Sequence, residues 1–414
     1  MSLEVMDYNG WFTLLSGYQA SKPTPPVMRF KRAIVARLLL VCGGLVFGLL
    51  LTEVILRVLG IAYPLPYLPD AYVGSRLRPG FRFWFTQEGR SYVQINRAGF
   101  RDRDHELKKP ADTFRIAVLG DSFAEAVQVS REDTFWSVLE RRLAAAPQFS
   151  GKEVELLNFG ISGHGTAQQL QMLQHYVLPY EPNIVLLAFF AGNDVRNNSR
   201  QLEPDDVRPF FVRDGAHLKL DDSFLRHPDF VKANSGSTRM KVAAINASRV
   251  LQAINEWKNR PALRGGGATY FESGVDDRVF VEPVQPAWQS AWEVTDALIS
   301  EINQVVRRHD ARLVVVTVTQ AIQLHPDANV RSRFADQLGA PDLFYPENRI
   351  EALGKELAFD VVALSRPMLD AATRDQQYFH GFDKTGLGTG HWNVAGHRLA
   401  AELIAEALLE NRGQ

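Results

Sequence analysis

The decapeptide Phe114-Arg115-Ile116-Ala117-Val118-Leu119-Gly120-Asp121-Ser122-Phe123 joins an unbroken apolar run to a glycine, an acid and a serine. A short run rich in Val, Ile and Leu, closed by glycine, reads as a strand buried on both faces. Runs of the same kind recur at residues 154–157, 184–190, 313–318 and 361–364. Helical spacing fills the intervals. Phe135, Val138, Leu139 and Leu143 share one face, as do Leu170, Leu173 and Val177. A long helix is expected from Trp292 to Arg308, another around Ile350, Leu353 and Leu357, and a last one around Leu399, Leu403 and Ala407.

Strands alternating with helices predict an α/β fold built on a doubly wound, flavodoxin-like parallel sheet of five strands. In the order 2-1-3-4-5, ligands bind where the first and third strands part, beyond their carboxyl ends. The serine of the opening decapeptide falls at that place. Residues 195–287 break the rhythm with a polar, proline-bearing stretch, a helical pattern around residues 242–257 and the loop Gly265-Gly266-Gly267. They read as an insertion able to form a lid or substrate wall.

Upstream, residues 81–95 (FRFWFTQEGRSYVQI) alternate apolar and polar positions around Glu88-Gly89 and read as a hairpin covering an edge of the main sheet. Four prolines between residues 64 and 79 mark an extended linker before it. Residues 38–51 (LLLVCGGLVFGLLL) are uninterrupted in their apolarity. Continued to Leu59, the stretch reaches the ~20 residues a bilayer requires, with Glu53 and Arg57 spaced to pair one turn apart. Arg29, Lys31, Arg32 and Arg37 precede it, which places the N-terminus in the cytoplasm. A signal peptide cut near Gly60-Ile61-Ala62 and a buried core helix are the competing readings. The expected organisation is a cytoplasmic tail over 1–32, a transmembrane anchor over 33–60, a linker and hairpin over 61–112, and a main domain over 113–414 carrying the insertion. The chain would then be a single-pass protein of the cell inner membrane, its main domain periplasmic.

Composition removes several functions. A formal net charge of −1 offers nucleic acid no attractive field. One cysteine, Cys42, rules out a disulfide framework and a cysteine metal site within one chain. Neither H-E-x-x-H nor G-x-x-x-x-G-K-[ST] occurs, and no metal or cofactor is expected. The serine lacks the G-x-S-x-G frame of the α/β-hydrolase elbow, since Ala124 follows Phe123.

Four blocks carry chemistry. Gly120-Asp121-Ser122-Phe123 offers a nucleophile at a strand tip. Residues 160–165 (GISGHG) can turn a backbone N–H inward. Ala191-Gly192-Asn193-Asp194 presents a side-chain amide at the third tip. Residues 390–397 (GHWNVAGH) place His391 on a loop before the last helix, with Asn393 as its N-cap and His397 in a structural role. Acyl transfer needs such a set: a nucleophile, a base, and donors aimed at an oxyanion.

In this order the blocks resemble the SGNH (GDSL-type) hydrolase superfamily, from Phe114 to the C-terminus without the insertion. The lead-in Asn96-Arg97-Ala98-Gly99-Phe100-Arg101 is similar to that of its bacterial membrane-anchored branch. The resemblance implies an esterase working through an acyl-enzyme. Ser122 would be the nucleophile and His391 the base, and the Ser122 and Gly163 amides with the Asn193 side chain would form the oxyanion hole. An O-acetyl glycan or a lipid ester is the implied substrate. A polysaccharide O-acyltransferase using the same site, or a degenerate glycan-binding domain, are the alternatives. One departure stands out: Gly388 and Thr389 occupy the positions where the family usually has an Asp. Asp383 or a backbone carbonyl would then orient His391, or the site would work as a dyad.

Overall fold

The computed structural model describes residues 26–215, 217–263 and 275–410. Most of the expected tail, the Gly265-Gly266-Gly267 loop and the last four residues lie outside the described residues. The chain divides into two compact units, Met1–Val58 and Leu59–Gln414. Within the first, the helix Pro26–Val58 contains a stretch, Ile34–Val58, that is long and apolar enough to cross a membrane, with a mean hydropathy of 2.5. Glu53 and Arg57 pair as their spacing requires, Arg57 donating to Glu53 at 2.8 Å.

The second unit is built on one five-stranded sheet. In chain order its strands are β1 (Thr113–Leu119), β2 (Glu153–Asn158), β3 (Ile184–Phe189), β4 (Arg312–Thr317) and β5 (Asp360–Ala363). All pairs are parallel and the spatial order is 2-1-3-4-5. The side-chain period of two divides the core in half. Ala117, Leu119, Val185, Leu187, Leu313 and Val315 face one way, onto helices Thr166–Met172, Pro286–Arg308 and Tyr345–Leu357. Ile116, Val118, Leu186, Ala188, Val314 and Val316 face the other, onto Phe135–Ala144, Ser365–Asp375 and Val394–Glu410. Both faces are covered, which is why these strands read as continuous apolar runs rather than alternating ones.

Residues 81–95 form the antiparallel pair Arg82–Phe85 and Ser91–Gln94, a two-stranded sheet of its own that is not hydrogen-bonded to the main sheet. Phe83 and Val93 pack with Leu77, Ile95 and Val127, in a small core beside the loop that follows Ser122. The insertion holds a second hairpin, Phe210–Asp214 with His217–Asp221, and helices Pro228–Asn234, Gly236–Ala247 and Arg249–Leu263. The helical pattern at 242–257 is thus broken at Ser248, whose backbone is extended between two helices.

Candidate active site

Ser122 is the first residue of a four-residue helix, Ser122–Glu125, that starts directly beyond β1. A first helical residue has no intrahelical acceptor for its N–H, so this amide stays directed outward from the helix start. Asp121 caps the helix: its Oδ1 accepts from Phe123 N at 3.0 Å. The other end is held by a buried guanidinium. Arg101 donates to the carbonyls of Glu125 (2.8 Å), Ala126 and Val129 (2.6 Å). Burial lowers the Arg101 pKa to about 10, with Glu125 opposing the shift, so it remains a cation at neutral pH. Trp136 adds an N–H bond to Ala124 O at 2.9 Å. A side chain held on so short a helix needs this external bracing, because four residues cannot sustain helical structure alone.

His391 Nε2 lies 2.8 Å from Ser122 Oγ. The histidine sits on the second strand of a short hairpin, His380–Phe382 with Gly386–Trp392, and not on a loop as expected. Gly386, Gly388 and Gly390 all take positive φ, which hid the strand from a propensity reading. The next residue, Trp392, is fully buried and donates its indole N–H to Thr319 Oγ1 at 2.9 Å. The Phe123 ring packs 4.9 Å from the imidazole and 5.2 Å from Trp392. Asn393 caps the last helix through Gly396 N at 3.0 Å, and His397 Nδ1 accepts from Phe135 N.

The acid partner of His391 is Glu88. Its Oε2 stands 2.8 Å from His391 Nδ1, and its Oε1 accepts the His391 backbone N–H at 2.8 Å. Burial alone would raise the Glu88 pKa, but the hydrogen bonds and charge of His391 hold it below the usual carboxylate range. Asp383, the acid expected for this role, is solvent-exposed. Glu88 comes from the turn of the upstream hairpin, 303 positions away. In sequence, Glu88-Gly89 reads only as a hairpin turn. Across the contact, a Cβ at Gly390 would collide with Glu88 Oε1, which becomes visible only in the structure.

The sheet order brings the other two blocks to Ser122 from both sides. Asn193 donates its Nδ2 to Asp121 Oδ2 at 3.0 Å, so the residue before Ser122 orients the amide. Burial pushes both Asp121 and Asp194 upward, and the Asp121 charge pushes Asp194 well above the carboxylate range. On the opposite side, Gly160 lets the second loop pack onto the Ser122 helix, since a Cβ there would overlap Ala124. Ser162 N then donates to Glu125 Oε2 at 2.6 Å, and Arg208 donates to the Gly163 carbonyl at 3.0 Å. Gly163 itself has φ +78°, a conformation that favours glycine. Asn158 joins this loop to the lead-in, taking Asp102 Oδ2 on its N–H at 2.9 Å. Asp102 and Glu125 thus lie outside the sequence motifs, whereas Arg101 closes the lead-in block.

Ser122, His391 and Glu88 open into a cleft of about 520 Å³. Its remaining lining comes largely from the linker and the upstream hairpin, including Pro66, Tyr67, Phe83, Trp84 and Phe85. The insertion was expected to supply a wall. None of its described residues lines the cleft. Asn246 and Gln252 instead brace the linker from behind, accepting from Leu65 N (2.8 Å) and Tyr63 N (3.0 Å).

Solved structures similar to this chain include esterases and a lipase. An acetyl xylan esterase aligns at 13% identity, covering 71% of this chain and 99% of that one, with a TM-score of 0.38. A putative GDSL-like lipase from Parabacteroides merdae aligns at 13% identity over 73% and 97%, TM-score 0.38. A catalytic mutant of an acetylxylan esterase from Geobacillus stearothermophilus aligns at 11% over 71% and 93%, TM-score 0.36. In sequence, the chain is 28% identical over 193 residues to an ATP phosphoribosyltransferase regulatory subunit from Synechococcus sp.. It spans 45% of that relative's length. No family model matches.

Proposed function

We propose that this chain is a serine ester hydrolase of the SGNH type, with Ser122, His391 and Glu88 as its catalytic triad. The observation that carries the reading is the unbroken relay from Ser122 Oγ to His391 Nε2 and from His391 Nδ1 to Glu88, 2.8 Å at each step. A serine hydroxyl is a weak nucleophile unless an adjacent base takes its proton.

In the first half-reaction Ser122 Oγ attacks the ester carbonyl and its proton passes to His391 Nε2. Glu88 stabilises the imidazolium and fixes its tautomer without taking the proton itself. Negative charge develops on the former carbonyl oxygen. The Ser122 N–H, the Gly163 N–H and the Asn193 amide are the donors assigned to it. The C–O bond to the alcohol breaks, and the leaving oxygen takes the proton from His391. Water, deprotonated by His391, then releases the acyl group and restores Ser122.

The reading extends to placement. The basic cluster before the apolar helix supports a cytoplasmic N-terminus in the inner membrane, with the domain outside the cytoplasm. Trypsin added to intact spheroplasts should then degrade the hydrolase unit.

The activity test is hydrolysis of p-nitrophenyl esters together with labelling by a fluorophosphonate. Wild type should turn over and label at Ser122, and Ser122→Ala should do neither. Equal activity, or equal inactivity, of the two proteins would sink the proposal.

A further inference from the structure

The Ser122 cleft is far larger than its reactive corner requires. An acetyl group brings two carbons to the carbonyl, whereas a cleft of about 520 Å³ lies in the range of pockets that enclose drug-sized ligands. What lines the surplus volume is chiefly hydrocarbon. Pro64, Pro66, Tyr67, Phe83, Phe85 and Val127 all face it. These side chains are not loosely arranged. Phe83 and Val127 are buried members of the small core with Leu77, Val93 and Ile95, and Phe85 packs against that core. The cleft is therefore the open side of a hydrophobic cluster.

Tyr67, Glu88 and Glu125 in the same lining are already engaged, while Thr86, Gln87, Thr385 and Gln128, whose Oε1 is buried without a partner among the described residues, form its smaller polar part. Tyr67 Oη donates to Glu125 at 2.9 Å, and Glu125 also accepts Ser162 N. Glu88 is committed to His391. A sugar ring needs donors and acceptors left open to its hydroxyls, because a buried hydroxyl without a partner is costly. A hydrocarbon tail needs none, and it gains by leaving water.

We infer that the cleft receives an aliphatic acyl chain, so that the substrates are esters of fatty acids of medium or greater length rather than acetyl esters. This rests on the hydrolase reading and narrows it. The chain would lie against Phe83, Phe85 and Val127 and extend their core, with its carbonyl at Ser122. Each methylene so buried is worth about fourfold in binding.

The test is a chain-length series of p-nitrophenyl esters, from acetate through butyrate and octanoate to decanoate. The full chain is held in nanodiscs rather than in detergent, whose own tails would compete for the cleft. Six further methylenes at about fourfold each set an upper expectation of about 4,000-fold, and the expected result is a kcat/KM for octanoate at least about a hundredfold above that for acetate, the gain from three to four of them being buried. A second arm uses Ala62→Phe, which places a ring into the same lining. It should lower the octanoate-to-acetate ratio by tenfold or more. The wild-type series stands alone if this variant does not fold. Ser122-dependent turnover that is flat or favours acetate would overturn the acyl-chain inference and leave the hydrolase standing. Absence of Ser122-dependent turnover on every ester, with no fluorophosphonate labelling, would overturn both.

Discussion

Glu88 grips His391 at two points, through the backbone N–H and through Nδ1, each at 2.8 Å. This double contact fixes both the position of the strand that carries the histidine and the tautomer of its ring. It also makes the upstream hairpin part of the proposed site. Replacing Glu88 by Gln keeps the size and one acceptor but removes the charge. A fall in kcat of about 10²–10⁴ is expected, with a much smaller change in KM. A neighbouring carboxylate favours the imidazolium, so its removal should also move the acidic limb of the pH–rate profile to lower pH. A purely structural residue would not produce that shift.

Gly390 tests the same contact from the other partner. It combines φ +72° with a position where a Cβ would meet Glu88 Oε1. Gly390→Ala should displace the carboxylate and lower kcat to nearly the level of Glu88→Gln. Combining the two changes should cost little more than either alone, because both break one interaction.

Asn193 is assigned a role made only in the transition state. Asn193→Ala should lower kcat about 10²–10³-fold. Fluorophosphonate labelling of Ser122 should slow with it, and circular dichroism should report an unchanged fold.

Glu125 lies one turn beyond Ser122 and holds the loop of Ser162 and Gly163. Burial raises its pKa, and the hydrogen bonds from Ser162 and Tyr67 oppose the rise. Glu125→Ala frees the loop and should cost about tenfold to a hundredfold in kcat. Glu125→Gln retains an acceptor for Ser162 N and should recover most of it. Rescue by the amide separates positioning from charge.

Away from the site, Glu347 gives a pH signature of folding. It is buried, accepts from Gln323 Nε2 at 2.8 Å, and burial raises its pKa to about 7. Its proton is held more tightly in the folded state than in the unfolded one, where the value is ~4.3. Its contribution is therefore complete below that value and is lost as pH rises towards 7. Relative to Glu347→Gln, the wild type should lose up to about 3 kcal/mol of unfolding free energy across this window. Urea titrations at successive pH values measure the difference.

The parts of this molecule that sequence made legible are those whose signal is local. The strands announce themselves as apolar runs because both faces of the sheet are covered. Ser122, Asn193 and Gly163 each follow such a run within a few residues. From sequence, His391 stood out as a residue between a glycine and a helix cap, though the hairpin strand under it did not. Glu88 was hidden for a different reason. Its partner is 303 positions away, and Glu-Gly at a hairpin tip already has a sufficient explanation as a turn. The lining of the cleft was hidden likewise. The insertion attracted attention by its length, whereas packing against Val127 depends on tertiary contacts that no periodicity encodes.

The relay itself is tested most directly by the acylation rate of the Glu88→Gln protein in the full chain, measured by stopped flow with a p-nitrophenyl ester against wild type and Ser122→Ala. A charge-dependent triad predicts that acylation slows by about 10²–10⁴ while labelling still maps to Ser122, with the pH–rate curve displaced towards acid. If the Gln protein acylates at the wild-type rate with an unmoved pH profile, Glu88 is not the acid of this site.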